Sequence, residues 1–354
     1  MQNLGARSLP VALGIVALLA TLATPALAQG GPVALEVYPP SMSLSGKDSA
    51  QRLMVIARYA NGSRKDVTKQ AKYSGGKTIL FRVTGNEVIA SIDGEGVVTV
   101  SYGGKTGQAK VTVQDTTVRR EWSFANDIVP IFTKHGCNTG GCHGSPAGRG
   151  GFHLSLFGYE PDYDYDQIVK DEDGKRVNLK QVDKSLILLK PSMQVPHGGG
   201  PRFKKGDSDY NLIRKWLLAG APQKPDFDRR VKNIKVYPEN WMFQKEGDEQ
   251  PLMVIAHFDD DVTRDVTEFS RYYTYDDQVA YVDADGILSA EGKGETTINI
   301  RFLSGIGVVR VQVPRDPLPA TAFDSFKPVN QIDNLVLQKL KQARVAPSPL
   351  ADDA

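Results

Sequence analysis

Short apolar runs rich in β-branched side chains recur between turn signals along most of the chain, a pattern that predicts strands rather than long helices. Leu53-Met54-Val55-Ile56-Ala57 is one such run, closed by the turn pair Asn61-Gly62. It returns as Leu252-Met253-Val254-Ile255-Ala256. Val37-Tyr38-Pro39 likewise returns as Val236-Tyr237-Pro238 and Asp66-Val67-Thr68 as Asp265-Val266-Thr267, all at a spacing of 199, so 32 residues align without a gap. These are two copies of one module. Further on, Asp93-Gly94-Glu95-Gly96-Val97-Val98 aligns with Asp283-Ala284-Asp285-Gly286-Ile287-Leu288 after a nine-residue contraction, as expected of a loop that differs between copies. Each copy ends in an alternating strand, at 110–113 and 309–313. The pattern predicts two all-β sandwiches, over 31–116 and 228–314, neither containing cysteine.

The flanks read differently. One positive charge at Arg7, an apolar run from Val11 to Leu22 and Ala26-Leu27-Ala28 form the pattern of a secretory signal over 1–28. Thr21, Thr24 and Pro25 interrupt that run short of a spanning helix, and no later segment is apolar enough to span, so the mature chain is expected to be exported, in the periplasm or at the cell surface, without a membrane span. At the other end 315–354 reads as a proline-bearing linker and the start of a further helical domain, with Ile332, Leu335, Val336 and Leu340 at helical spacing.

Composition narrows the partners. Lys and Arg total 43 against 41 Asp and Glu, a net charge of +2 in 354 residues, far too balanced for a general phosphate-backbone binder. Nucleic acid is therefore not expected as a partner. No paired carboxylates, nucleophile elbow or phosphate loop mark residues 29–354 as an enzyme.

The candidate chemistry lies between the repeats, over 118–223, where both cysteines and most histidines fall. The central string is His135-Gly136-Cys137-Asn138-Thr139-Gly140-Gly141-Cys142-His143-Gly144. With 5 His in 354 residues, one directly after the second cysteine arises by accident about 1 time in 70. Two thiols followed by an imidazole is what covalent haem attachment requires, although four residues rather than two separate these cysteines, so the loop must bulge, and Gly140-Gly141 offers the freedom. A Cys137–Cys142 disulfide in an exported chain explains the cysteines but leaves His143 without a role. Zinc held by the two cysteines and two histidines, and a catalytic thiol, are further readings of the same string.

Gly151-Phe152-His153-Leu154-Ser155-Leu156-Phe157-Gly158-Tyr159, Ser185-Leu186-Ile187-Leu188-Leu189-Lys190-Pro191 and Val195-Pro196-His197-Gly198-Gly199-Gly200-Pro201-Arg202-Phe203, taken with the cysteine string, resemble the cytochrome c-like domain of large exported proteins best known from planctomycetes. The repeats resemble the bacterial immunoglobulin-like group 2 (BIG2) domain. Such a likeness implies heme c bound through Cys137 and Cys142, iron ligation by His143, a functional histidine at His197, and a chain that is the N-terminal part of a longer protein. His197, in its glycine-rich loop, is then the expected sixth iron ligand, with Met193 the second choice. The fold class expected is mixed, two all-β Ig-like sandwiches flanking a mainly α/loop-rich cytochrome c-like domain. The function expected is electron transfer to an unknown redox partner protein. The alternative, from a different class, is a cell-surface adhesion or glycan-binding Ig-like protein with a Cys137–Cys142 disulfide and no haem.

Overall fold

The computed structural model describes residues 30–75, 79–224 and 228–348; the export signal expected over 1–28 lies outside them. Each copy of the repeat forms the same three sheets. In the first copy Ala34–Tyr38, Met54–Arg58 and Arg64–Asp66 make one; Ser41–Ser45, Lys105–Gln114, Gly94–Tyr102 and Lys72–Ser74 make the second; Ala50–Arg52, Glu87–Ala90 and Phe81–Thr84 make the third. The second copy repeats that order strand for strand, and its pairing register is conserved, with Val37 opposite Val55 and Val236 opposite Val254. The sandwiches are thus a duplicated immunoglobulin-like architecture.

Pairing also relocates the difference between the copies. Gly94 faces Val113 in the first hairpin and Gly294 faces Val313 in the second, a spacing of 200, while Lys72 opposite Ser101 matches Arg271 opposite Arg301. The second copy therefore carries a single extra residue between these strands, not a nine-residue contraction. The Asp283–Gly286 turn precedes the strand Ile287–Ala290, the counterpart of Glu87–Ala90, so the earlier alignment of Asp283 with Asp93 matched two different Asp-Gly-type turns.

The run 53–57 is apolar throughout because its strand is buried on both faces. Leu53, Val55 and Ala57 enter the first sandwich's own core, whereas Met54 and Ile56 join the core of the second sandwich. Met253 and Ile255, their counterparts at the same spacing, are equally buried. Tyr38 stacks on its own counterpart Tyr237 with ring centroids 4.7 Å apart. Around this centre the polar contacts run both ways. The Ser43 N–H donates to Thr263 Oγ1 at 2.9 Å, and on the other side Arg64 donates to the Asn240 carbonyl at 3.1 Å and lies over the Trp241 ring. Arg52 adds an ion pair to Asp265 at 2.7 Å. The two copies meet as the halves of a two-fold dimer would, within one chain.

The inter-repeat segment is not the helix-rich domain expected. Helical residues amount to 21% of the chain, and the insert's helical elements are short, such as Ser208–Leu218, Val129–Lys134 continuing from Phe124–Ile128, and Leu186–Leu189, with loops between them. The fold class is corrected to a predominantly β protein with a loop-rich insert. The physical cause is local: Gly136 at φ 70° ends the first helix, and Pro191, Pro196 and Gly198–Gly200 leave no length for another. The insert has its own core around Phe124, Ile131, Tyr210 and Trp216. It is fastened to the second sandwich through Arg264, which donates to Asp127 Oδ1 and to the Asn126 carbonyl, each at 3.1 Å, and covers Phe269. At the far end of the chain Gln331–Ala343 is helical, capped by Asn330 at the Asp333 N–H, with Ile332 and Leu335 exposed.

Because Ile56 is fully buried between the sandwiches, Ile56→Ala is expected to lower unfolding free energy by about 2–5 kcal/mol. Val97→Ala, on the exposed outer face, is expected to stay within about 0.5 kcal/mol, both measured by denaturant titration.

Candidate functional site

The cysteine loop is shaped by the way its helix ends. With Gly136 in the left-handed region, the Cys137 N–H donates to the Phe132 carbonyl at 2.8 Å and the Gly136 N–H to Thr133 at 3.1 Å, the paired bonds of a Schellman motif. That turn folds Cys137 back onto Phe132 in the core. The loop then closes on itself, since the His143 N–H donates to Cys137 at 2.9 Å and the Gly144 N–H to Thr139 at 3.0 Å. A Cβ on Gly144 would lie 2.2 Å from the Asn138 carbonyl oxygen. Gly136 and Gly144, and not the Gly140-Gly141 pair, are therefore the glycines this loop requires.

Opposite it, the 195–200 loop is held by Arg202, which donates to the Gly199 carbonyl at 2.7 Å, to the His135 carbonyl at 3.3 Å and to Cys142 Sγ at 3.5 Å. His143 and His197 thereby come to face each other, ring centroids 6.4 Å apart and planes 15° from parallel. His143 Nδ1 bonds the Phe152 carbonyl at 2.9 Å and His197 Nδ1 the Gly200 carbonyl at 2.8 Å. A carbonyl only accepts, so both Nδ1 atoms carry the proton when the rings are neutral, leaving Nε2 of each ring as an acceptor. Burial holds the His143 imidazolium below the ordinary histidine range, opposed by the Phe152 carbonyl and reinforced by His197, so this ring is neutral at pH 7.

Cys137, Cys142, His143 and His197 all line one cavity of about 370 Å³. Apolar walls come from Phe152, Leu154, Leu186 and Ile187, and Arg149, Lys190 and Arg202 bring positive charge to it. Arg176 also lines it, buried over the Phe152 ring at 4.3 Å. Met193 lies outside this lining and is 47% exposed. His153 is engaged by the Tyr163 hydroxyl at 2.7 Å, and His135 by Asp209 at 2.8 Å. Burial works against the charged Asp209 carboxyl, but the His135 bond and the charge of Lys134 outweigh it and hold the group below the usual carboxylate range. Nothing in spacing or composition marks Arg202; only the fold shows that it joins both loops.

Burial of Cys137 works against covalent attachment of a haem. A thiol adds to a vinyl group as thiolate. The Cys137 thiol is pushed up to about 12 by burial, despite the Arg202 charge. Both cysteines are free, so the Cys137–Cys142 disulfide is not formed either. Among the described residues no group of three or more His, Cys, Asp or Glu is placed to hold a metal ion. Heme c as the cofactor, and the electron transfer inferred from it, are corrected on these grounds; Cys137, Cys142, His143 and His197 share one cavity, and Met193 lies outside it.

No protein-family model matches the chain, and no curated protein does. Among solved structures the chain is similar to the S-layer protein rSbsC(31-844) at 11% identity and TM-score 0.22, covering 77% of this chain and 24% of that one. It is also similar to domains 5-6 of the S-layer protein SbsC (12%, TM-score 0.31, 80% and 98% covered) and to the Yersinia pseudotuberculosis adhesin InvE (9%, TM-score 0.17, 81% and 61% covered). The chain spans about a quarter of the length of the first of these. The resemblance to a planctomycete-type cytochrome c-like family with BIG2 modules is corrected, since no such family model matches the chain. No helix among the described residues is long and apolar enough to cross a membrane.

Asp164 holds the wall of the cavity in place by accepting from the N–H and hydroxyl of Ser155, next to Leu154. Burial pushes its carboxyl up to about 6 against the lowering effect of those bonds. A carboxyl that protonates more readily in the folded than in the unfolded chain makes stability fall as pH rises from about 4 to about 6 and remain reduced above it. At about 1.4 kcal/mol per unit, the whole effect is at most about 3 kcal/mol. Asp164→Asn is expected to abolish this dependence, as read from denaturation at pH 4 and pH 7.

Proposed function

We propose that this is an exported surface-binding protein in which two Ig-like sandwiches, packed as one platform, hold an insert at 118–223 that captures a small amphipathic anion. The observation that carries this reading is the cavity itself. Its walls are apolar, two near-parallel imidazoles with acceptor nitrogens stand across it, and its charged lining is cationic throughout, from Arg149 to Arg202. A ligand with a flat apolar body and peripheral carboxylate or sulfonate groups meets every one of these surfaces, because the body fills the apolar walls while the acids pair with the cations. Cys137, Cys142, His143 and His197 act in this reading as pocket residues. The secretory pattern at the N-terminus and the paired sandwiches support a place outside the cytoplasm, in the class of surface contact proteins.

Titration with the fluorescent anion anilinonaphthalene sulfonate tests it. The full chain is expected to bind one equivalent saturably, and Lys190→Glu and Arg149→Glu each to weaken binding roughly tenfold by reversing charge at the pocket. Native mass spectrometry of the exported chain is expected to show bound mass above the polypeptide. A bare polypeptide together with unsaturable probe binding, indifferent to both variants, would defeat the reading.

A further inference from the structure

A second cleft, of about 290 Å³, opens where the insert meets the second sandwich. Arg202 and Arg271 both line it, and among the described residues neither has a carboxylate within 4.0 Å. The other charged groups there are already engaged. Lys134 pairs with Asp209 at 3.1 Å, which also takes His135, and Asp283 Oδ1 accepts from the N–H groups of Asp285 and Ile287 to close its turn. Arg271 makes one long bond, 3.4 Å to the Thr133 carbonyl, and its approach needs Gly136, where a Cβ would lie 2.9 Å from Nη1. Burial, and next the neighbouring Arg202 charge, hold the Arg271 pKa below its ordinary value. Two guanidinium groups therefore line one cleft without a carboxylate within 4.0 Å of either, Arg202 already bonded to the Gly199 and His135 carbonyls and Arg271 the freer of the two, an arrangement that an anion would relieve.

Tyr272 and Tyr281 line the same cleft, and further tyrosines follow Arg271 in the chain. Arg271 begins the edge strand Arg271–Thr274, and residues two apart on a strand share a face, so Tyr273 follows Arg271 on one side, with Tyr275 just past the strand's end. They stand edge to face at 5.5 Å and are 59% and 66% exposed, while Tyr281, 51% exposed, lines the cleft directly. In the first copy Lys72 occupies the register position of Arg271, and Ser74 follows where Tyr273 stands. The combination belongs to the second copy alone.

We propose that this cleft binds an acidic saccharide, the carboxylate or sulfate pairing with Arg202 and Arg271 and the sugar rings stacking on Tyr281 and the Tyr273–Tyr275 pair. An arginine fork matches a planar or tetrahedral oxyanion bidentately, and a tyrosine ring offers its face to the apolar C–H side of a sugar. Arg202 also lines the cavity between His143 and His197, so Arg271 and Tyr281, which line this cleft and not that cavity, are the residues that test the inference apart from the first reading.

Calorimetric titration of the full chain with oligogalacturonate, a heparin oligosaccharide, a neutral dextran oligosaccharide and sodium sulfate tests it. One or both acidic oligosaccharides are expected to bind and dextran not to, which also distinguishes carboxylate from sulfate recognition. Arg271→Ala is expected to weaken binding at least roughly tenfold, and Tyr281→Ala roughly threefold to tenfold, without change in Arg214→Ala, whose side chain pairs with Asp183. If Arg271→Ala fails to fold, Arg271→Lys keeps the charge, loses the fork and is expected to weaken binding roughly fivefold. Absence of binding by both acidic oligosaccharides, equal losses in Arg271→Ala and Arg214→Ala, or sulfate alone binding as tightly with the tyrosine variants unchanged would each overturn the proposal.

Discussion

The burial of two homologous strands against one another is the constraint on which the rest of the structure depends. Met54–Arg58 and Met253–Phe258 each have one face in their own sandwich and the other in the joint between sandwiches. A strand buried on both faces cannot slip by one residue without driving polar neighbours into a core, so its register is held firmly. The same packing aligns Tyr38 with Tyr237 and brings Arg52 to Asp265, which sets the angle between the copies. Two modules that stood alone would rotate about their connection, whereas here they act as one body.

That body gives the insert a fixed seat. Arg264 and Asp127 form a charge pair partly withdrawn from water, with the Asp127 carboxylate also taking Arg120 at 2.7 Å and the Ser123 N–H at 3.1 Å. A pair satisfied on all sides specifies position more than it adds stability, because desolvation offsets much of the Coulomb gain. On the insert itself the arrangement is made by backbone bonds and one side chain. The Schellman turn at Gly136 aims Cys137 inward, and Arg202 joins the two loops that carry His143 and His197. Loops of this kind would be mobile without such ties, and a binding pocket built on them needs its lining held in advance.

Charge is distributed unevenly over this balanced chain. The net charge is only +2, yet the charged lining of both cavities is mainly cationic, Arg202 touching each of them. Local field rather than net charge decides which ligands approach a cleft with low-dielectric walls. Anionic groups are favoured at both, with the apolar walls of one and the tyrosines of the other separating what each would select.

The duplicated sandwich was legible in the chain because strand burial imposes a two-residue period and because thirty-two residues recur at one spacing. The gathering of Cys137, Cys142, His143 and His197 at one cavity followed from motif strings, and the fold places them there. What those residues could do was not legible, since the string that suggests haem attachment says nothing of the burial that keeps the Cys137 thiol protonated. Nor does an Asp-Gly turn announce its place in a sheet: the Asp93 and Asp283 turns look alike in sequence, and only strand pairing shows that they stand at different places in the two copies. Residues far apart in the chain, Arg202 with Arg271 and Arg264 with Asp127, come together only after the insert packs on the second sandwich. Sequence determined the local periods and turns, which depend on neighbours a few positions away; the tertiary structure decided burial, ion pairing and the shape of both clefts, which depend on neighbours that no spacing along the chain brings together.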